Sequence, residues 1–127
     1  MLLPQQPDAR GLAREAFFAP FVLVSHDTAN DPVFNYANRA ALDLFQVTWG
    51  EFTQLHSRES AEPESRHERA RLLAEVKRKG YCEGYSGIRI SKSGERFRIM
   101  DVTVWNLLDA EGCYRGQAAV YAKWEYL

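Results

Sequence analysis

The chain has 127 residues, of which 46% are hydrophobic and 26% charged, and its formal net charge is −1. This length fits one domain, and the composition is typical of a globular protein. The near balance of charge argues against nucleic acid as a partner, because binding to phosphates needs a surplus of Lys and Arg. No apolar run approaches the roughly 20 residues of a membrane-spanning helix, and the first residues lack the order of a signal peptide. We therefore expect a cytoplasmic protein with no membrane partner.

The first part of the chain predicts a lead-in, a helix and a hairpin. Residues 1–11 are polar and rich in proline, so we expect a frayed lead-in before a domain that covers 12–127. Gly11 to Phe18 can form a short helix, which Pro20 ends. Phe21–Ser25 then predicts a first strand, and Val33–Tyr36 predicts a second strand after a segment dense in turn-forming residues.

The middle of the chain predicts helices. Asn38 is placed to cap a helix over Arg39–Phe45, and Trp49–Leu55 adds a helical turn or two. Pro63 suits the first turn of a longer helix that runs to about Lys79 and ends at Gly80. The buried side of this helix is limited to Leu72, Leu73 and Val76, and its first half is expected to be solvated or to pack on a partner.

The last third predicts three strands, because aromatic and β-branched residues dominate it and turn sequences divide it. The strands cover Tyr81–Ser91, Glu95–Trp105 and Cys113–Trp124. The element order is thus β-β-α-α-α-β-β-β, an α+β fold with a five-stranded antiparallel sheet and helices packed on one face. This arrangement is similar to that of PAS domains.

Several segments carry a narrower resemblance. Tyr36–Phe45 (YANRAALDLF) resembles the strand-Asn-helix segment common to PAS domains. The following segments together resemble the MEKHLA domain, a PAS-like family: Val22–Asn38, Ser57–Pro63 (SRESAEP), Lys79–Ile99 and Val102–Trp124. The resemblance implies a sensory or dimerisation-controlling module, since MEKHLA domains occur as stand-alone bacterial proteins and at the end of plant homeodomain-leucine-zipper regulators. No catalytic residues come with the family, so we expect no enzyme, and we do not expect the DNA-binding role of the plant proteins.

The residues do not favour the coloured cofactors or the metals found in some proteins. Light-sensing PAS domains use a reactive cysteine in an Asn-Cys-Arg helix motif, which is missing here, so we do not expect flavin. Haem needs an axial histidine in an apolar slot, but His67 has charged neighbours, so we do not expect haem. Cys82 and Cys113, with His26, His56 and His67, show no zinc spacing. The two cysteines are expected to lie about 9–10 Å apart across two strand spacings, which is too far for a disulfide.

One segment permits an enzyme as an alternative. His56, Glu59, Glu62 and His67 could supply general acid and base groups. Nothing in their spacing sets a nucleophile beside a base, and a solvated loop with helix-capping acids explains them more simply.

A ligand pocket is suggested by the small side chains of Gly116–Ala119 (GQAA), which would leave space against the sheet. Six residues would line it, four as aromatic walls and two with polar groups: Phe45, Trp49, Phe97 and Trp105, then Tyr85 and Gln117. In the other interpretation the aromatic residues fill the core. Arg89 and Asp101 are expected to be close enough for an ion pair.

Two functions therefore remain open, a sensor that binds a small ligand and a ligand-free docking or dimerisation module. Apolar residues occupy both odd and even positions of Glu95–Trp105, so that both faces of the sheet would be apolar. A homodimer is therefore expected to cover the face that the helices leave open. A β-bulge in this strand, or the first helix folding over the sheet, would remove that need.

Overall fold

The computed structural model describes residues 9–127, and of residues 9, 10 and 63–66 only the backbone. The helices are α1 (Ala9–Phe17), α2 (Arg39–Phe45), α3 (Trp49–Phe52) and α4 (Pro63–Lys79), with a short 3-10 helix over Ser57–Ser60. The strands are β1 (Val22–His26), β2 (Phe34–Ala37), β3 (Tyr81–Ile90), β4 (Arg96–Leu108), β5 (Tyr114–Tyr121) and β6 (Lys123–Tyr126). Most of the predicted lead-in, residues 1–8, lies outside the described residues.

The strands form one antiparallel sheet in the order β2-β1-β5-β4-β3, and β6 pairs with the first part of β4. The α+β class and the predicted antiparallel arrangement are confirmed. The last predicted strand, Cys113–Trp124, is two strands that are separated at Ala122. β5 lies between β1 and β4, whereas β6 pairs with β4 alone.

A bulge in β4 explains its apolar pattern. Asp101 has a φ of 52°, between the part of β4 that pairs with β6 and the part that pairs with β5. Such a residue shifts the alternation of the strand by one position. As a result Phe97 and Ile99 before the bulge and Val102 and Val104 after it are all buried on the inner face. The apolar residues at both odd and even positions of β4 therefore reflect the bulge, and not two apolar faces of the sheet.

Asn38 fixes the start of α2 and ties it to the sheet. Its side-chain oxygen accepts the backbone N–H of Ala41 at 3.1 Å, which confirms the predicted cap, and also the N–H of Leu23 at 3.1 Å. Its side-chain nitrogen donates to the carbonyls of Phe21 and Ala16, at 2.8 and 3.1 Å. Asn38 is fully buried, so these bonds replace those it would make with water.

The other helices begin and end at residues with recognisable caps. Thr48 and Glu51 form a capping box at the start of α3. Pro63 lies in the first turn of α4, and Gly80 ends that helix with its N–H on the carbonyl of Val76, at 2.6 Å. Both boundaries of α4 agree with the prediction.

The helices pack on the inner face of the sheet. The core between the helices and the sheet differs in composition from one end to the other. At one end four phenylalanines pack together, which we call the aromatic cluster (Phe34, Phe45, Phe52 and Phe97). Within it, the rings of Phe34 and Phe52 stack at 4.1 Å, and those of Phe45 and Phe97 meet edge to face at 5.4 Å. The other end, beneath α4, is not filled.

No helix among the described residues is long and apolar enough to cross a membrane.

Candidate functional site

A partly open cavity lies between α4, the 3-10 helix and the inner faces of β1, β3, β4 and β5. Its volume is about 60 Å³, counted as the space open to the centre of a water molecule. That is room for about four to six water molecules. Its apolar wall includes Val24, Leu72, Leu73, Val102, Val104 and Ala119, and its polar groups come from His26, Ser57, Arg69, Tyr85, Arg89 and Gln117. We call it the arginine cavity.

Strand β3 supplies two of these polar groups through its alternation. Tyr85, Gly87 and Arg89 are two residues apart, so they point to the same face. A side chain at Gly87 would collide with both neighbours, since an added Cβ would lie 2.6 Å from the Tyr85 hydroxyl and 2.9 Å from Nη1 of Arg89. Gly87 therefore leaves the room in which the tyrosine and the guanidinium meet.

Arg89 is only 7% exposed, although it carries a charge. Its guanidinium donates to the Tyr85 hydroxyl at 3.3 Å and to the carbonyl of Ile88 at 3.1 Å. It also lies 5.6 Å from the centre of the Tyr85 ring, within the range of a cation–π contact. The backbone of Arg89 bridges to Ala61, which holds the segment after the 3-10 helix against β3.

Arg69 reaches the same cavity from α4. It shares the inward stripe of the helix with Leu72, Leu73 and Val76, three, four and seven residues further on. Burial lowers the pKa of Arg69 to about 10, and the positive charge of Arg89 adds to that effect. Among the side chains that the structure describes, none forms an ion pair or hydrogen bond with the Arg69 guanidinium.

Three buried polar atoms that line the cavity have no hydrogen-bond partner among the described residues: His26 Nε2, Ser57 Oγ and Gln117 Oε1. His26 and Gln117 are opposite each other on β1 and β5. Burial lowers the pKa of His26 below 6.5, and the charge of Arg69 lowers it further. Gln117 lies close enough to raise that pKa, but it makes no hydrogen bond of normal geometry to the ring. Buried polar atoms are rarely left without a partner, so three such atoms around one cavity are an unusual feature of this core.

The six residues predicted to line a pocket are only partly brought together. Phe45, Tyr85 and Gln117 line the arginine cavity. Phe97 belongs to the aromatic cluster, where it packs behind Phe45. Trp49 is 45% exposed and packs edge to face on Tyr36. Trp105 lies on the outer face of the sheet, opposite Tyr81 on β3 and Ala118 on β5.

Sequence reasoning missed four polar residues of the cavity: His26, Ser57, Arg69 and Arg89. The expected ion pair between Arg89 and Asp101 is wrong, because Asp101 lies in the bulge and is paired with Lys123 at 3.3 Å. A periodic pattern was available for three of the four. His26 continues the inward alternation of Val22 and Val24, Arg89 that of Tyr85, and Arg69 the stripe of α4.

The side chains of the enzyme alternative have structural partners instead of a common site. His56 Nδ1 lies 3.0 Å from the carbonyl of Asp31 and 3.2 Å from its carboxylate. Glu59 accepts the backbone N–H of His56 at 2.8 Å. Glu62 is buried and forms an ion pair with Arg96. His67 is exposed on α4. The described residues contain no group of three or more His, Cys, Asp or Glu side chains able to hold a metal ion.

A second depression, of about 230 Å³, lies between α3 and the hairpin that joins β3 to β4. Of its three charged residues, Glu51 and Lys92 form an ion pair with each other, and Glu59 accepts the backbone N–H of His56. The charged groups of this depression therefore have partners, unlike Arg69 in the arginine cavity.

Comparison with known proteins places this fold. The profile of the MEKHLA domain matches residues 1–126. The chain belongs to the MEKHLA family. It is also similar to the homeobox-leucine zipper protein ATHB-9 of Arabidopsis thaliana, with 24% identity over 100 residues that cover 79% of this chain and 12% of that protein. The matched part of this chain thus spans about an eighth of the length of that relative.

Solved PAS domains share the fold of this MEKHLA domain. A PAS domain from Colwellia psychrerythraea superposes with a TM-score of 0.75 at 12% identity, covering 93% of this chain and 95% of that one. A light-oxygen-voltage domain studied with a flavin analogue gives a TM-score of 0.71 at 18% identity, covering 92% and 84%. At this level of identity the likeness concerns the fold alone. The chain is thus a MEKHLA domain with a PAS-like fold.

Proposed function

We propose that this MEKHLA domain is a sensory module that binds a small molecule in the arginine cavity, and that its role is binding rather than catalysis. The observation that carries the proposal is the convergence of unpartnered polar groups, the half-buried Arg69 and three buried neutral side-chain atoms, on one cavity. A purely structural core would be expected to pair such groups or replace them with apolar ones. The cytoplasmic location stays a prediction.

The experiment is native mass spectrometry of the full chain, compared before and after unfolding and refolding in ligand-free buffer. The expected result is a small adduct that unfolding removes, together with a lower melting temperature of the refolded protein, since a ligand that binds only the native state stabilises it. A chain without an adduct, whose melting temperature no small-molecule library raises, would contradict the proposal. A flavin or haem absorption band would contradict the expectation that the protein is colourless.

A second candidate, a homodimer that docks through the outer face of the sheet, is favoured by a specific group of residues. Cross-strand pairing places Leu23 beside Val120 and Trp105 beside Tyr81 on this face. Tyr81 is 53% exposed, and the other three are partly exposed. The bulge in β4 takes Phe97 and Ile99 off this surface, so the patch is smaller than the sequence predicts.

Light scattering of the chain with and without residues 1–18 tests the dimer. Twice the monomer mass at micromolar concentration, lost in the variant Trp105→Ser, supports docking through this face. A monomer in both forms of the chain would contradict it. The exposed Trp49 is the matched control, because Trp49→Ser lies on a different surface and is expected to leave the mass unchanged.

A further inference from the structure

The arginine cavity has a definite chemical character, which rests on the proposed function and narrows its ligand. The half-buried Arg69 and the buried Arg89 bring positive charge to one cavity, and among the described side chains neither has a carboxylate partner. A charge withdrawn from water is costly unless it is paired, and a bound anion would pair both guanidinium groups. Guanidinium groups match the planar oxygens of a carboxylate particularly well.

The opposite wall of the cavity presents hydrogen-bond acceptors. The first acceptor is Gln117 Oε1, and a chain of hydrogen bonds sets its orientation. Asn106 Nδ2 donates to the carbonyl of Val76 at 3.1 Å, so its oxygen faces away from that carbonyl. This oxygen accepts from Gln117 Nε2, at 3.1 Å. Gln117 Oε1 is therefore left facing the cavity, and it can only accept.

The second acceptor is His26. Its Nδ1 lies 2.8 Å from the carbonyl of Asp27, which cannot donate, so Nδ1 carries the proton. The remaining nitrogen, Nε2, is an acceptor in the neutral ring, and it has no partner. The groups facing this ring that carry charge are Arg69 and Asp27. Two acceptors opposite each other call for a donor between them, such as a hydroxyl group.

The ligand must also be small and partly apolar. The space holds about four to six non-hydrogen atoms if each is counted as one water molecule. Most of its wall consists of aliphatic side chains, including Leu72, Val102 and Val104. Such a wall favours a ligand with a hydrocarbon portion over an inorganic anion, because the hydrocarbon would replace poorly bonded water.

We infer that the ligand is a small hydroxycarboxylate, whose carboxylate lies between Arg69 and Arg89 and whose hydroxyl donates its one proton in a bifurcated hydrogen bond shared by His26 Nε2 and Gln117 Oε1. Ser57 Oγ, which can donate or accept, adds a contact to either group. Water could satisfy the acceptors, but it would leave the two guanidinium charges without an anion.

The test is isothermal titration of the refolded full chain with three compounds of one size at constant ionic strength. Lactate has the charge and the hydroxyl, propionate only the charge, and lactamide only the hydroxyl. Lactate is expected to bind at least about tenfold more tightly than either of the others, because each analogue leaves buried groups without a partner. Inorganic phosphate is the fourth probe, and it is expected to bind more weakly than lactate.

Variants test which residues bind the carboxylate and which bind the hydroxyl of the ligand. Arg69→Met and Arg89→Met are expected to weaken lactate binding at least about tenfold, whereas Arg71→Met, exposed on the same helix, leaves it unchanged. Gln117→Leu is expected to abolish the preference for lactate over propionate. Circular dichroism and melting curves show that each variant is folded.

The outcomes separate this inference from the function on which it rests. If lactamide or phosphate binds as tightly as lactate, the hydroxycarboxylate assignment is wrong, but the cavity is still a ligand site. If propionate equals lactate, the assigned role of His26 and Gln117 is wrong. If none of the probes binds but native mass spectrometry finds another molecule, the chemical class is wrong. If neither method finds a ligand, the proposed function itself fails.

Discussion

The aromatic cluster and the arginine cavity lie beneath the same layer of helices, but they solve the problem of burial in opposite ways. In the cluster, phenylalanine rings fill the space at contact distance, with no polar group to satisfy. In the cavity, aliphatic walls surround two guanidinium groups and three unpaired polar atoms, and a space is left open. The first arrangement stabilises the fold. The second is expected to lower stability unless a ligand pairs these groups, as the proposed function requires.

The sharpest test of the cluster is removal of one of its two fully buried rings, Phe52 and Phe97. Phe52 is fully buried and contacts both Phe34 and Phe45. Phe52→Ala is expected to lower the free energy of unfolding by about 3–5 kcal/mol, because it leaves a cavity. Denaturation with urea measures this. Trp49→Ala is the control, with an expected loss of about 1 kcal/mol or less, since 45% of that residue is exposed. Equal losses would mean that the cluster is not the stabilising part of the core.

The close approach of β5 to the end of β1, beside His26 of the cavity, depends on Gly116. It has a φ of 131°, and an added Cβ would lie 2.0 Å from the carbonyl oxygen of His26. Gly116→Ala is therefore expected to cost about 2–4 kcal/mol, from backbone strain and from separation of β1 and β5. Gly50→Ala is the matched control, because nothing lies within 4 Å of its added Cβ. It is expected to change stability by about 1 kcal/mol at most. A neutral Gly116→Ala would contradict the described contact between the two strands.

The cavity should behave in the reverse way from the cluster. Arg69→Met removes a buried charge and retains an apolar stem, so it is expected to raise the free energy of unfolding of the ligand-free chain by about 1–3 kcal/mol. Arg71→Met, exposed on the same helix, is expected to change it by about 0.5 kcal/mol or less. If Arg69→Met lowered the stability of the ligand-free protein, Arg69 would have a structural partner, and the cavity would be part of the packed core.

A smaller effect is expected from pH. Burial lowers the pKa of His26 in the folded state, so between that value and 6.5 the unfolded chain binds more protons. The stabilising contribution is thus complete above pH 6.5 and is lost as the pH falls through the folded pKa. Urea denaturation at pH 7.5 and 5.5 should show a smaller loss for His26→Gln than for the natural chain. His67→Gln, at an exposed position, is the control. An identical loss in the chain and in His26→Gln would contradict the burial of a neutral imidazole.

The two regions also differ in how far the sequence predicts them. Local signals were sufficient for the fold: Asn38 as a cap, Pro63 and Gly80 as the bounds of α4, and turn residues between the strands. The split of the last strand was missed, because it follows from which strands β5 and β6 pair with, a long-range property. Phe45 was predicted as a wall residue because apolar periodicity identifies core positions.

The polar half of the cavity was harder to predict, because polar residues on an inward stripe resemble surface residues in sequence. Arg69 follows a run of charged residues, which predicts a solvated stretch of helix. Its position on the same face as Leu72 and Val76 was therefore not recognised. Arg89 was expected to pair with Asp101, since the register that the bulge at Asp101 imposes cannot be read from a single sequence. Such conflicts between local pattern and burial concentrate at functional sites.

The central claim is that a small anion enters the arginine cavity, and a nuclear magnetic resonance titration tests it most directly. Lactate added to the isotopically labelled full chain is expected to shift the side-chain signals of Arg69 and Arg89 and the amide signals of Gln117 in a saturable manner. The indole signals of Trp49 and Trp105, which lie outside the cavity, are expected to stay in place. Saturable shifts confined to the Trp105 face, or no saturable shift of either arginine, would contradict the account.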